Sequence, residues 1–374
     1  MKVCLVTHSV LKGDGQGRVN YEVVLEAICR GHNVTILASS ISPNLQQHPQ
    51  ITWVPISVKG LPTALLRELF FSYQTADWLR QHRHQFDVIK VNGAITSAPA
   101  DINAVHFVHS SWLRSPAHTA RQSRNFYGAY QWFYTWLNAL WEKQAFRRAK
   151  LIVAVSQKVK QELVEAGILA DKIRVILNGA DLEEFRPGQG DRAQWQLPKH
   201  ILIALFAGDI RSNRKNLDTV LEALLHVPTL HLAVAGATEG SPYPDRVKAL
   251  GLSQRVHFLG HRRDLPELMR TVDFFVFPSR YEPFGMVVIE AMASGLPVIV
   301  ASTAGVAEII SPECGVVLAN SEDKEGLVEA FKVLTDNAEL RSRMGQAVRQ
   351  VAEQHCWRSK AERYVTIFEE FVKT

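Results

Sequence analysis

The 374-residue chain predicts an α/β protein made of two doubly wound units, each built on a parallel sheet. Three observations carry this expectation. Short apolar runs of strand length alternate with amphipathic helical stretches along the whole chain. Glycines crowd the turn after the first apolar run, where such sheets open a binding crevice. A strand–loop–helix–strand unit at 274–301 repeats in the second half the plan of the first. The length fits two domains, and 47% hydrophobic with 21% charged residues is ordinary for a globular protein with two cores.

Residues 1–7 read as a buried first strand. The run is too short for a signal peptide and no small-residue cleavage site follows it. Residues 8–18 form a glycine-rich loop that includes Asp14, Gly15 and Gly17. A helix follows from about Val19 to Arg30, stopped by Gly31, and 33–38 is the second strand. Gly15 and Gly17 lack the spacing of the dinucleotide fingerprint, so the residues alone leave a plain turn beside a phosphate-approaching loop. Residues 51–55 and 86–91 read as strands on either side of a helical pattern at 61–84. Residues 104–112 set His106 and His109 at the end of a strand, the side on which such sheets carry their sites.

Residues 114–150 are unusual. Arg114, Arg121, Arg124, Arg147, Arg148 and Lys150 are interleaved with Phe126, Tyr127, Trp132, Phe133, Trp136 and other aromatics. The stretch reads as helical from about Asn125 to Ala149. Two readings stand side by side: an interfacial surface on an anionic membrane leaflet, or aromatics packed inward with the arginines solvated. Residues 1–187 carry 21 Lys and Arg against 14 Asp and Glu, and the remainder carries 21 against 23. A basic first half fits an anionic partner, and nothing beyond that charge points to nucleic acid.

After a strand at 151–156 and the segment 172–187, residues 188–200 read as a linker rich in Gly, Gln and Pro. The second unit opens with a strand at 201–208. A basic turn follows, with Arg211, Arg214 and Lys215 ahead of a helix whose apolar face is Leu217, Val220, Leu221 and Leu224. Cations at a helix start after a strand suit a phosphate. Strands at 231–236 and 256–260 follow, then a short helix from Asp264.

The chain is organised around 274–301. Between strands at 274–277 and 298–301 lie a loop with Glu282, Pro283 and Gly285 and a helix that stops at Gly295 and Pro297. Backbone N–H groups of Phe284 to Val287 stand unsatisfied at the helix start, open to an anion or a sugar hydroxyl. Glu282 in the loop and Glu290 in the helix accept hydrogen bonds, so a polyol is a natural ligand. Helices at 325–334 and about 359–372 complete the chain.

Cys4, Cys29, Cys314 and Cys356 show no paired spacing, and the histidines form no metal motif, so neither a metal nor a cofactor is expected. No apolar run is long enough to span a bilayer, and the sequence reads as cytoplasmic.

Glu282-Pro283-Phe284-Gly285, with Glu290 and the trailing Ala293-Ser294-Gly295-Leu296-Pro297-Val298, resembles the E-x7-E element of the retaining glycosyltransferases of family 4. The resemblance covers nearly the whole chain, densest over 207–308 and thinnest over 60–150. It implies the GT-B fold: two Rossmann-like domains facing across a cleft, with a C-terminal helix crossing back. The implied division is an acceptor-binding domain at 1–187, the linker at 188–200, a nucleotide-sugar domain at 201–356 and the returning helix at 357–374. The implied activity is transfer of a hexose from a nucleotide diphosphate sugar, UDP-sugar first and GDP-mannose second, to a saccharide or lipid-linked acceptor in polysaccharide, glycolipid or envelope synthesis. A nucleotide-sugar epimerase or hydrolase, or a non-catalytic sugar-nucleotide-binding subunit, is the alternative.

The resemblance also implies roles. Gly15 and Gly17 would lie over the donor diphosphate, and His109, with His106 in reserve, near the donor sugar. Phe258 would stand beside the base and Glu290 would hold the ribose. Glu282 with the N–H groups at Phe284, Gly285, Met286 and Val287 would orient the sugar. Lys215 would meet the diphosphate. The family carries an Arg directly after Gly208, where this chain has Asp209; Arg211, with Arg214 in reserve, is the expected substitute.

Overall fold

The computed structural model describes residues 1–13, 15–122 and 125–373; Asp14 and Arg124, both named above, lie outside the described residues. The chain divides into two compact units, Met1–Asn178 with Trp357–Thr374, and Gly179–Cys356.

The first unit is built on β1 (Lys2–Val6), β2 (Asn33–Ala38), β3 (Ile51–Pro55), β4 (Val88–Asn92), β5 (Ile102–Val105), β6 (Leu151–Ala154) and β7 (Ile173–Val175). They form one parallel sheet in the order β3-β2-β1-β4-β5-β6-β7. The central strands are buried on both faces, so β1 reads as a nearly unbroken apolar run, while Lys90 and Asn92 on β4 and Asn103 on β5 are buried polar residues. The helices are α1 (Gly15–Cys29), α2 (Ala64–His82), α3 (His109–Arg114), α4 (Phe126–Arg148) and α5 (Gln157–Glu165). Side-chain caps set where α2, α4 and α5 begin: Thr63, Asn125 and Ser156 accept from the N–H groups of Leu66, Gly128 and Val159.

Helix α1 begins at Gly15, four residues before the expected start, so Gly15 and Gly17 occupy its first turn instead of a loop. In α4 the usual polarity is inverted. Its inward positions are Gly128, Thr135, Asn138, Glu142 and Phe146, while Phe126, Trp132, Phe133 and Trp136 are exposed. These aromatics are therefore not core residues, and the inward-packing reading fails for them.

The second unit repeats the plan. β8 (Leu202–Ala207), β9 (Leu230–Ala235), β10 (Val256–Gly260), β11 (Phe274–Phe277), β12 (Val298–Ala301) and β13 (Gly315–Leu318) form a parallel sheet ordered β10-β9-β8-β11-β12-β13. α6 (Leu217–Leu224), α7 (Met286–Ala293), α8 (Lys324–Asp336) and α9 (Ala338–Glu353) pack around it. Helix α9 was not anticipated, although Met344, Val348 and Ala352 bury one face at helical spacing and Asn337 caps its start.

Residues 188–200 are not a linker. The Gly190 N–H donates to the Arg270 carbonyl at 3.0 Å, Arg192 pairs with Asp273 at 2.8 Å, and Trp195 and Leu197 are buried. This segment belongs to the second unit, and the chain passes between units at Asn178 and Gly179. Its polar composition hid two apolar anchors and one guanidinium that tie it down.

After α9 the chain returns to the first unit as α10 (Trp357–Lys373), against α1. Tyr364, Val365 and Phe368 are buried, and Glu369 meets Arg30 at 3.0 Å and His32 at 2.9 Å. In each sheet the strand order reverses at one place, between β1 and β4 and between β8 and β11. Ligands of doubly wound sheets bind outside the carboxyl ends of the strands at such points.

Candidate active site

In the second unit, β8 and β11 end on either side of the reversal. Gly208 follows β8 and leads through the turn Asn213–Lys215 into α6. Residues 278–285 follow β11 and lead into α7. The two loops are fastened together. The Arg280 N–H donates to the Arg214 carbonyl at 2.8 Å, and the Arg280 guanidinium donates to the Asn213 carbonyl and to Asp218, both at 2.7 Å. Glu322 takes its Nε–H at 2.7 Å. Sequence reasoning passed over Arg280 because its role is to hold in register two loops that it ties across 62 to 67 residues, which no local pattern reports.

At the centre, the Lys215 ammonium donates to the Glu282 carboxylate and lies 4.9 Å from the Phe277 ring centroid. Both side chains are mostly buried, 13% and 14% exposed, so little water screens the pair. Burial pushes the Lys215 pKa down, against the pull of Glu282, and the net direction is downward. Two glycines make the geometry possible. A Cβ on Gly208 would come within 3.3 Å of the Lys215 side chain. Gly285 has φ +107°, and a Cβ there would meet Glu282 at 3.4 Å and Val306 at 3.3 Å. The Glu282 and Phe284 carbonyls accept from the Gly305 and Val306 N–H groups at 3.0 and 2.8 Å, so the loop is pinned from its far side. This leaves Met286 and Val287 in the first turn of α7 with N–H groups that the helix itself cannot use. Glu290 follows on the same helix, partly buried.

The remaining expected residues are placed differently. Arg211 turns back on Asp209, which accepts from its Nε–H at 2.8 Å and from its backbone N–H at 3.1 Å. Burial raises the Asp209 pKa, but these hydrogen bonds outweigh it and hold the carboxyl below its ordinary value. Arg214 makes no ion pair among the described residues, yet its charge acts on both Asp209 and Lys215. Phe258 stands on β10, the sheet edge, packed partly against the core and separated from β8 by β9.

In the first unit, His109 opens α3. Its backbone N–H donates to Glu142 Oε2 at 2.8 Å and its ring Nδ1 meets Oε1 at 2.6 Å. Burial opposes charge on the ring, but the Glu142 carboxylate, with Glu68 behind it, raises the His109 pKa overall. Glu142 was missed because a carboxylate on an aromatic helix carries no signal by itself. His8, just past β1, pairs with Glu68 at 3.1 Å. His106, just past β5, is different: burial and the charge of Lys90 lower its pKa to about 3, so it is neutral. His8, Glu68, His106, His109 and Glu142 line one cavity, with Gln16 from the first turn of α1. Among the described residues no cluster of three or more His, Cys, Asp or Glu side chains could hold a metal ion.

Comparison with known proteins follows the same division. Residues 13–184 match the family described as Glycosyltransferase Family 4, and residues 189–351 match that described as Glycosyl transferases group 1. Among curated relatives, the D-inositol 3-phosphate glycosyltransferase of Corynebacterium kroppenstedtii is 27% identical over 62% of this chain and 56% of its own length. The lipopolysaccharide core mannosyltransferase LpsB of Rhizobium meliloti is 28% identical over 53% and 58%. The matches to these two relatives thus span little more than half the length of each. Sucrose-phosphate synthase from Thermosynechococcus elongatus superposes with a TM-score of 0.82 over 99% of this chain and 98% of its own, at 18% identity. Anabaena HepE, solved with UDP and glucose, gives 0.75 over 99% of both chains at 20% identity. At such identities the structures show a shared fold, GT-B.

Proposed function

The chain belongs to the glycosyltransferases that join a family 4 half to a group 1 half, and from that premise we propose that it transfers a hexose, with retention, from a nucleoside diphosphate sugar. The observation that carries the reading is the mostly buried Lys215–Glu282 pair, set between two glycine turns at the reversal point of the second sheet. A cation fixed there stabilises negative charge as it develops on a leaving diphosphate, and does so without reorganising. The Arg211 charge is held by Asp209, so the second cation is assigned to Arg214. The amides at the start of α7 and Glu282 orient the sugar, and Glu290 accepts hydrogen bonds from the ribose hydroxyls.

In the transfer step the bond from the anomeric carbon to the diphosphate oxygen breaks. The acceptor oxygen bonds to that carbon on the same face, and its proton passes to the departing phosphate oxygen. His109, its pKa raised and its ring steered by Glu142, supports the sugar or the acceptor in the first unit. The protein's own cations do this work, and no metal or cofactor is assigned. The donor is a UDP-sugar, a reading supported by the UDP bound to HepE at the same fold, with GDP-mannose second. The acceptor is a saccharide or a lipid-linked saccharide. No helix among the described residues is long and apolar enough to cross a membrane. The outward aromatics of α4, with Arg147 and Arg148 in the last turn of the same helix, support contact with an anionic leaflet.

A panel of UDP-, GDP- and ADP-sugars tested by thermal shift decides the donor, because a ligand that binds only the folded chain raises its melting point. NMR of the product's anomeric centre then decides retention. Full transfer by Glu282→Gln would remove the assigned role of that carboxylate.

A further inference from the structure

We propose that the cavity of the first unit seats a neutral, unphosphorylated sugar or cyclitol ring of the acceptor, and that it discriminates against phosphorylated ones. The proposal rests on the transferase reading and adds the chemical class of the second substrate. The cavity holds about 480 Å³ and lies between α2 and α4, beyond the carboxyl ends of β4 and β5. Sites for small ligands fall in this size range.

Two residues of its lining each carry a buried side-chain nitrogen with no hydrogen-bond partner among the described residues. Asn92, 1% exposed, gives its side-chain oxygen to Lys90 at 3.0 Å, but its Nδ2 donates to nothing. His106 Nε2 is buried and equally unpaired. Buried polar atoms are normally satisfied, so an unmatched pair on one cavity wall indicates a ligand that supplies the partners. Hydroxyls fit both, because each can accept from the Asn92 amide or exchange roles with a neutral imidazole of either tautomer. Tyr73 and Trp141 add flat apolar faces of the kind that cover the C–H face of a sugar ring.

The charges at the cavity weigh against phosphate. His109 is neutralised by Glu142 at 2.6 Å and His8 is engaged by Glu68 at 3.1 Å. His106 is uncharged. A phosphate dianion would enter beside two carboxylates, while buried Lys90 is not part of the lining and its ammonium already donates to Asn92 and Asn20. Arg148 also lines the cavity, but its side chain is exposed and makes no ion pair among the described residues.

The test is ligand-observed NMR on the full chain. The neutral probes are methyl α-D-glucopyranoside, methyl α-D-mannopyranoside, methyl α-D-galactopyranoside and myo-inositol. Glucose 6-phosphate, mannose 6-phosphate, galactose 6-phosphate and myo-inositol 3-phosphate are their counterparts. At least one neutral ring should bind, its phosphorylated counterpart at least tenfold more weakly. His106→Phe should weaken the neutral ring at least tenfold while UDP, GDP or ADP binding in the same samples stays unchanged. Asn92→Asp, which keeps the oxygen facing Lys90 and removes the unpaired donor, should do the same if His106→Phe fails to fold. Binding by no neutral ring, equal or tighter binding of a phosphorylated one, or neutral binding that both variants leave intact overturns the proposal. Nucleotide binding read in parallel separates that failure from failure of the transferase reading itself.

Discussion

The Lys215 ammonium and the Glu282 carboxylate, 67 residues apart in the chain, form one mostly buried ion pair at the carboxyl ends of β8 and β11. Removing either partner leaves the other charged and poorly hydrated. Lys215→Met and Glu282→Gln should each cost about 1–3 kcal/mol of stability. The double variant should recover part of that, because it strands no charge. Chemical denaturation of the four proteins measures the coupling, and strictly additive losses would show that the pair does not act as a unit. Lys215→Met should also lower kcat by about 10²–10³, the scale for losing one preorganised group that meets developing charge.

Much of this arrangement is legible in the sequence, and the failures have physical reasons. Glu282, Gly285 and Glu290 announce themselves through a loop that needs a positive φ and a helix that must start there. Lys215 follows from a cation at a helix start. Position in the sequence favours Arg211 over Arg214, but Asp209, two residues before Arg211, pairs with its guanidinium. Glu142 and Arg280 work through space on partners 33 to 67 residues away, where periodicity says nothing. The segment 188–200 looks like a linker by composition, yet one guanidinium and one indole outweigh its glycines.

Glu142 holds His109 by both ring and backbone, which makes it a positioning residue. Glu142→Gln should lower transfer by about 10–100-fold, the equivalent of losing a hydrogen bond to a charged group. The His109 pKa is raised above its ordinary 6.5. Stabilisation by the pair is therefore complete below pH 6.5 and is lost as pH rises through the raised value. Thermal melts of wild type and Glu142→Gln should differ most near pH 6 and converge toward pH 9. A gap that stays constant with pH would mean that the imidazole is not charged in the fold.

Lys90 sits fully buried on β4, with its ammonium on Asn92 and Asn20 and 5.9 Å from the Tyr364 ring. Burial lowers its pKa to about 7 from an ordinary 10.5. Between those values the unfolded chain binds the proton and the folded chain releases it, so this residue makes stability rise with pH. The slope from one such group is at most about 1.4 kcal/mol per pH unit. Lys90→Met should flatten the rise in urea midpoint between pH 7 and 10 relative to wild type. Parallel curves for the two proteins would place the ammonium at an ordinary pKa and deny it any part in the pH dependence.

Helix α4 turns Phe126, Trp132, Phe133 and Trp136 outward while it buries Thr135, Asn138 and Glu142. A patch of this kind is unfavourable in water unless something covers it. Replacing Phe126, Trp132 and Phe133 with Ser should leave the melting point nearly unchanged, since these side chains support no core. Co-sedimentation with vesicles containing phosphatidylglycerol should fall about tenfold or more, since burying one large apolar side chain gains about 1.5–3 kcal/mol. Added salt should weaken the wild type only in part, because Arg147 and Arg148 supply the screened share of the contact and the aromatics the unscreened share. If salt alone releases the wild type completely, or the triple variant sediments as well as wild type, the aromatic face does not touch the membrane.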